Sequence, residues 1–529
     1  MMLVCMGLAA CGATETPADR AIENGVLIVG NGADPDTLDP HLLIGMPEAN
    51  IVAALSEGLV VLDPDDSRAV RPGVAERWVH SSDYLRWTFH LRRDARWSDG
   101  APLTARDFVY SFRRMLSPAL GSEGADLLYV IRNARAYNRR ELTEFAQVGI
   151  KAPDDHTLEL TLEYPAQYLL PMLAGTNFVP VNRVAVEAGG GIDNPDNRWA
   201  RAGTYVGNGP FLLSEWHVNR EVLVERNPQY WDAANVALNA VRFLPIDDPK
   251  AETQAFLAGE LHVTQTVAAG ALERLREERP GAVNSEAMLG AYLYEFNTRR
   301  PPLDDERVRR ALALAVDRQT IASSLATGQA AIGGIVPPGI PDYKTVPAAP
   351  PRVGEARELL AQAGYPGGAG FPEVTLLINR FTLHRRVADM VTRGWAKNLG
   401  IKVKVREASW KTYLARMADD NFDIARSGWV AGYFDPGGFL EIMTSDGISN
   451  RTGWSDPAYD ALIAEARTTT DRSRHMMLMR KAEDLMLAQQ PLIPIMNYSQ
   501  TYLLDPRVKG WGNSIGGERV YKFMSFASN

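Results

Sequence analysis

The sequence predicts an α/β protein built from several lobes. Three observations carry this. The chain has 529 residues, room for about two to four domains at roughly 100–200 residues each. Several short segments alternate apolar and polar residues with the period of two that marks a strand with one buried face. One stretch, 374–406, reads strand, helix, strand, a βαβ unit whose two strands lie parallel in one sheet.

Each element has its own signal. Trp87, Phe89 and Leu91 share one face of a strand, as do Leu158, Leu160 and Leu162, and as do Ile401, Val403 and Val405. Thr104 is an N-cap for a helix through Phe108, with Asp107 completing an approximate capping box. Asp304 starts a helix carrying Val308, Leu312 and Val316, and Glu355–Ala363 is a helix ended by Gly364. In the βαβ unit, Val374–Asn379 is the first strand, His384–Leu399 the helix, Gly400 its stop and Ile401–Arg406 the second strand. Gly189–Gly191, Pro337–Gly339 and Pro347–Pro351 read as surface loops.

Composition excludes several functions. Hydrophobic residues at 46% and charged residues at 23% are globular proportions, not those of a disordered chain. A formal net charge of −8 argues against binding nucleic acid, which needs a positive field. The two cysteines, Cys5 and Cys11, fall within the first eleven residues, so the folded body has no disulfide and no cysteine-based zinc site. No apolar run reaches the roughly 20 residues needed to span a bilayer.

Residues 1–11 read as an export signal, an apolar run ending in Leu8-Ala9-Ala10-Cys11. This string resembles the bacterial lipobox, which implies cleavage before Cys11 and acylation of that cysteine. Residues 12–26 then form a polar tether. The first basic residue is Arg20, so the basic segment of a signal peptide is expected upstream of Met1.

No enzyme motif survives inspection. Gly512-Asn513-Ser514-Ile515-Gly516 has the form of a nucleophile elbow, but no histidine follows it and the chain ends thirteen residues later. The eight histidines hold no pair at helical spacing, so no local metal site is expected. Neither a phosphate-binding glycine loop nor a dinucleotide fingerprint is present. The chain is expected to hold a molecule, with no catalytic residues, metal or cofactor.

Several strings together resemble a known family. They are Asp34–His41 (DPDTLDPH), Pro72–Trp78 (PGVAERW), Trp87–Ser111 with its core WSDGAPLTARDF, Gly207–Leu213, Glu225–Trp231 (ERNPQYW), Tyr294–Asn297, Arg307–Arg318, Ala425–Pro436 and Asp456–Ile463. The chain is similar over most of its length to the extracytoplasmic solute-binding proteins of peptide-type ABC importers, the oligopeptide- and dipeptide-binding proteins. The resemblance implies a periplasmic-binding-protein type II clamshell, with two ligand-gripping lobes plus an extra inserted lobe. Lobe I is expected at 27–56, 203–293 and 500–529, lobe II at 57–202 and lobe III at 294–499, with ligand between lobes I and III. The implied partners are a peptide or small-molecule ligand and an inner-membrane ABC permease. A periplasmic or envelope location, anchorage through Cys11 and a monomeric state complete this reading.

The resemblance also implies site residues. Arg426-Ser427-Gly428-Trp429-Val430-Ala431 matches the strand that pairs with ligand backbone, followed by Gly432 and Tyr433. Trp429 and Trp410 match aromatic walls of side-chain pockets. Arg426 and His384 match positions facing the ligand's carboxyl end, with Arg385 an alternative to His384. Tyr294 belongs to a further matching string. Two positions depart from the family pattern: Gly432 and Ile44 stand where free-peptide binders carry acids. An ammonium buried without a partner is costly. The departures therefore leave open an N-blocked or modified peptide, a murein fragment or a non-peptide solute, with Asp435 or Glu48 as possible substitutes for the missing acids. A receptor-coupled sensor and a hydrolase using Ser514 are the rival functions.

Overall fold

The structure is a computed structural model that describes residues 15–527 except 44, 67, 326, 448 and 513–516. The signal, Cys11, Ile44 and Ser514 therefore lie outside the described residues. Three sheets, each with its own apolar core, make three lobes.

In lobe I, Val26–Gly30 pairs parallel with Ala240–Leu244, and Glu221–Arg226 and Phe211–His217 follow antiparallel. The expected tether is not all loop. Pro17–Glu23 is a helix, capped by Thr16 and Asp19 in a reciprocal capping box with proline in its first turn. It is fastened by Arg507, whose Nη1 lies 2.7 Å from Asp19 Oδ1.

Lobe II is an antiparallel sheet ordered Ala75–His80, Arg86–Leu91, Thr157–Thr161, Ile150–Asp154. Trp87, Phe89, Leu91, Leu158, Leu160 and Leu162 are all buried in one cluster, as their alternation requires. The helix Ala105–Met115 packs on this sheet. Asp107 Oδ2 accepts the Thr104 N–H at 2.7 Å and its hydroxyl at 2.9 Å. Val179, Val181, Val186, Trp199 and Ala200, expected in lobe II, pack instead in the lobe I core. They reach it because the chain turns back after Phe178.

Lobe III holds a five-stranded sheet in the order Val403–Ala408, Val374–Asn379, Ile424–Val430, Val283–Phe296, Leu492–Leu503. The βαβ strands pair in parallel, Val374 opposite Val403, and the helix between them, Thr382–Leu399, ends on Gly400 at φ 73°. The second strand starts at Val403, two residues later than its alternation suggests, since Ile401 is spent burying the turn after Gly400. The helix expected from Asp304 begins two residues on, at Glu306, with Asp305 as its cap, and ends at Leu314, short of Val316.

Two junctions fix how the lobes meet. Lobes I and II share buried ion pairs that explain several of the matching strings. Arg114 grips Asp39 with two bonds of 2.8 and 2.7 Å, and Trp199 Nε1 adds a third to Asp39 at 2.9 Å. Glu57 accepts from Lys522 Nζ at 2.9 Å and Trp231 Nε1 at 2.6 Å, and from the Tyr230 hydroxyl. Lobes I and III are joined differently. Val283–Phe296 and Leu492–Leu503 run as a two-stranded ribbon from one lobe into the other. Its register shifts between Ala287 and Ala291 and again at Tyr292, where such irregularities bend a ribbon.

Candidate functional site: a free strand edge facing a cleft

The strand Ile424–Val430 is hydrogen-bonded unequally on its two edges. Toward Val283–Phe296 it pairs along its length, Tyr294 opposite Arg426 and Gly290 opposite Val430. Toward Val374–Asn379 it pairs only at Ile424 and Ala425. Beyond Ala425 that second edge has no partner strand among the described residues. Two flanking bonds fix which groups lie there. Ala431 N–H donates to Leu289 O at 3.0 Å, and Asn297 N–H donates to Asp423 O at 2.8 Å. In an antiparallel ladder these residues alternate, so Ser427 and Trp429 face the partner strand. Gly428 and Val430 turn their N–H and C=O outward. The outward carbonyl of Arg426 is taken by the Tyr413 hydroxyl. Gly428 is glycine for a local reason, since any Cβ there collides with the ring of Tyr498.

Arg426 stands at one end of this edge without an ion-pair partner among the described residues; the buried Glu295 carboxylate on the partner strand interacts with its charge but does not bond it. Its guanidinium carbon lies 5.1 Å from the centre of the Tyr292 ring, and Nη2 donates to the Tyr498 hydroxyl. Nη1 is 3.5 Å from Asn379 Oδ1 and Nε has no partner. No carboxylate of the described residues forms an ion pair with it. An arginine held by rings and neutral oxygens keeps its charge for a ligand anion. His384 packs beside it, 5.5 Å from Tyr292 and 5.1 Å from Phe381 between ring centres, with Nδ1 unpartnered. Burial, and secondarily the Arg426 charge, push its pKa down to about 3. The ring is therefore neutral at physiological pH and offers a hydrogen bond, not a second cation. Arg385, the alternative, is engaged elsewhere, by Asp389 at 2.9 Å and Glu407 at 3.4 Å.

The remaining residues fall into two groups. Trp429 is half-buried and donates Nε1 to Gly438 O at 2.6 Å, which fixes its ring at the cleft wall. Trp410 is 56% exposed, stacked on Tyr413 at 5.4 Å, with its other face bare. Ala431 is buried, whereas Val430 and Gly432 are exposed. Tyr433 stacks on Tyr168 of lobe II, ring centres 4.2 Å apart at 14°. Tyr294 is not brought to the cleft. It is 0% exposed within the lobe III core, its hydroxyl unpartnered. The polar neighbours that sequence reading missed are Tyr292, Asn379, Tyr413 and Tyr498. They come from four different elements, and only sheet order unites them.

At the other end of the edge the missing acids are not replaced by the two substitutes considered. Asp435 is buried, its Oδ1 2.9 Å from His475 Nε2 and its Oδ2 3.2 Å from Arg472 Nη1. Glu48 is buried too and accepts the Asp36 N–H at 3.0 Å. A Cβ on Gly432 would lie 3.3 Å from Leu127 Cδ2, so lobe II closes over this point. A cavity of about 840 Å³ opens there, walled by Trp429–Tyr433 on one side and by Leu127, Tyr129 and Tyr164 on the other.

Three α/β lobes, a bent two-stranded connection and a strand edge open to the cleft define a type II binding protein with an inserted lobe. The chain belongs to the bacterial extracellular solute-binding proteins of family 5: the model of that family's middle region matches residues 69–451. It is 36% identical over 512 residues to the periplasmic oligopeptide-binding protein OppA of Escherichia coli (strain K12), covering 94% of this chain and 92% of that one. It is also 36% identical over 510 residues to the probable deoxycholate-binding periplasmic protein YgiS of the same strain, covering 94% and 93%. The crystal structure of Haemophilus influenzae OppA in complex with RPPGFSPFR superimposes with a TM-score of 0.81 at 31% identity, covering 96% of this chain and 99% of that one. The chain is thus a solute-binding protein of the peptide-type ABC importers, a family of binding proteins rather than enzymes. Among the described residues no helix is long and apolar enough to cross a membrane.

Proposed function

We propose that this protein captures a peptide-like solute in its interlobe cleft and delivers it to an ABC permease, held at the membrane through an acylated Cys11. The observation that carries the reading is the free edge of Ile424–Val430, ending on an arginine with no ion-pair partner among the described residues. An extended ligand adds there as an antiparallel strand, exchanging main-chain hydrogen bonds with Gly428 and Val430 independently of its sequence. Its carboxylate meets Arg426 and the neutral His384. The Escherichia coli relative named for oligopeptide binding and the Haemophilus influenzae structure in complex with RPPGFSPFR support the same class.

The test is calorimetry with trialanine and its C-amide. Trialanine is expected to bind and the amide to bind much more weakly. Equal affinities would remove Arg426 from the reading. Position 432 supplies no charge for an α-ammonium, so N-acetylation of trialanine is expected to cost less than about tenfold, roughly 1.4 kcal/mol.

One observation favours a second reading. An anion site with no acid at its far end, beside the bare face of Trp410, also suits an amphipathic carboxylic acid of the kind YgiS is named for. Deoxycholate in the same calorimeter separates the two, since binding by deoxycholate without binding by any oligoalanine favours the acid. Delivery to a permease, rather than signalling to a receptor, is tested by uptake of labelled ligand in cells with and without this chain. Anchoring is tested by membrane fractionation of Cys11→Ala, expected in the soluble fraction.

A further inference from the structure

The cavity beyond Gly432 has a use that the strand edge alone does not give it. We infer that the amino end of a longer peptide runs past Gly432 into the cavity between lobes II and III, where the carboxylate of Asp126 holds it. The inference rests on the peptide reading above and deepens it.

Continuity comes first. The cavity is lined by Trp429 and Val430, where the free edge ends, by Gly432, and on lobe II by Asp126, Leu127 and Tyr129. Its volume, about 840 Å³, lies within the roughly 300–1,000 Å³ of ordinary ligand pockets. An extended chain rises about 3.3 Å per residue. Three ligand residues therefore cover the stretch from Gly428 to Val430, and each further residue carries the amino end toward Gly432 and past it. At Gly432 itself lobe II is in near contact with lobe III, so the chain enters the cavity beside this point. With Leu127 Cδ2 3.3 Å and Cδ1 3.5 Å from where a Cβ would stand, a side chain at 432 would fill the gap between the lobes.

Charge decides which end of a ligand belongs there. Six carboxylates and three guanidinium groups line the cavity, so it favours a cation. One pair is internally satisfied, Glu441 with Arg467 at 2.7 Å. Asp126 is adjacent in sequence to the leucine that touches Gly432, and among the described residues it forms no ion pair. Its side chain is exposed, so a ligand in the cavity can reach the carboxylate. Arg135 and Arg139 lie in the same wall, from the next helix. They repel an ammonium, and of the cavity's unpaired carboxylates Asp126 is the one next in sequence to the leucine beside Gly432. The family pattern holds the amino end on lobe III. Here the acid comes from lobe II, so a bound ligand would tie the two lobes together.

The test uses the full chain and oligoalanines of three to six residues, each free and N-acetylated, titrated by calorimetry into wild type, Asp126→Asn and Asp126→Glu. For trialanine the free and acetylated forms are expected to bind within about threefold of each other. For penta- and hexaalanine the free form is expected to bind about tenfold tighter. Asp126→Asn should abolish that preference, leave the acetylated peptides unchanged, and be rescued by Asp126→Glu. A preference already present in trialanine overturns the inference, because the amine is then held near Gly432. Equal loss for free and acetylated peptides in Asp126→Asn overturns it too, since that is a structural effect. Failure of every oligoalanine to bind any of the proteins removes the peptide reading itself, a different result from binding without length dependence.

Discussion

Arg426 is the residue on which ligand chemistry turns. Rings and neutral oxygens surround it, and a hydrogen bond to a charged group contributes about 1.5–3 kcal/mol. Arg426→Met is therefore expected to weaken trialanine by roughly 10- to 100-fold and to leave trialanine amide unchanged, measured by calorimetry. His384 contributes through its neutrality, and this makes stability depend on pH. Its native ring titrates near 3 and an unfolded one near 6.5. Between those values the unfolded chain binds more protons, so stability falls as pH drops through that window. His41, buried against Arg114, is likewise held near 3 by burial and by that charge. Replacing His384 by Gln is expected to flatten the fall of the melting temperature between pH 6.5 and 4. An unchanged slope would show that its burial does not set the acid sensitivity. Gly428→Ala drives a methyl group into Tyr498. It is expected to lower stability by about 1–3 kcal/mol through overpacking and to weaken ligand binding, seen by thermal melts and calorimetry together.

Among the elements, the turn after the ligand strand links the site to lobe II. Trp429 is tied to Gly438, Asp435 to His475 and Arg472, and Tyr433 stacks on Tyr168. Gln167 Nε2 also reaches the Thr470 carbonyl at 2.8 Å. The Tyr433–Tyr168 stack and this last bond hold lobe II against lobe III. Aromatic stacking contributes about 0.5–1.5 kcal/mol, so Tyr168→Leu is expected to raise the ligand dissociation rate by roughly 2- to 10-fold, read by stopped-flow Trp fluorescence. The elements themselves were largely legible where one residue pattern sufficed. Trp87, Phe89 and Leu91 alternate into a core, Thr104 and Asp107 cap a helix, and Gly400 ends one. The tether hides a helix: Thr16-Pro17-Ala18-Asp19 carries a capping signature, but its seven residues are too short for an apolar periodicity to stand out. The site was legible only along one strand. Arg426 to Tyr433 can be read as a run, but Tyr498, Tyr292, Asn379 and Asp126 are distant in sequence, and no local periodicity brings them together. Tyr294 shows the converse: it belongs to a matching string, yet like Tyr292 on the same face it is buried in the lobe III core, and it is Tyr292 that lies against Arg426.

For the whole molecule, buried ion pairs fasten lobe I to lobe II, whereas among the described residues a bent ribbon and the cleft contacts join lobe III to them. Lobe III is thus expected to be the part that moves, and a ligand favours closure to the extent that it binds the closed form better. Small-angle scattering is expected to show a smaller radius of gyration with saturating trialanine than without it. The account's central claim is narrower, that ligand adds to the free edge of Ile424–Val430. Residue-resolved hydrogen exchange tests it most directly. With saturating trialanine the amides of Gly428 and Val430 should slow strongly, while that of Trp429, already paired with Val283–Phe296, should change little. Unchanged exchange at Gly428 and Val430, under conditions where calorimetry proves the site full, would contradict it.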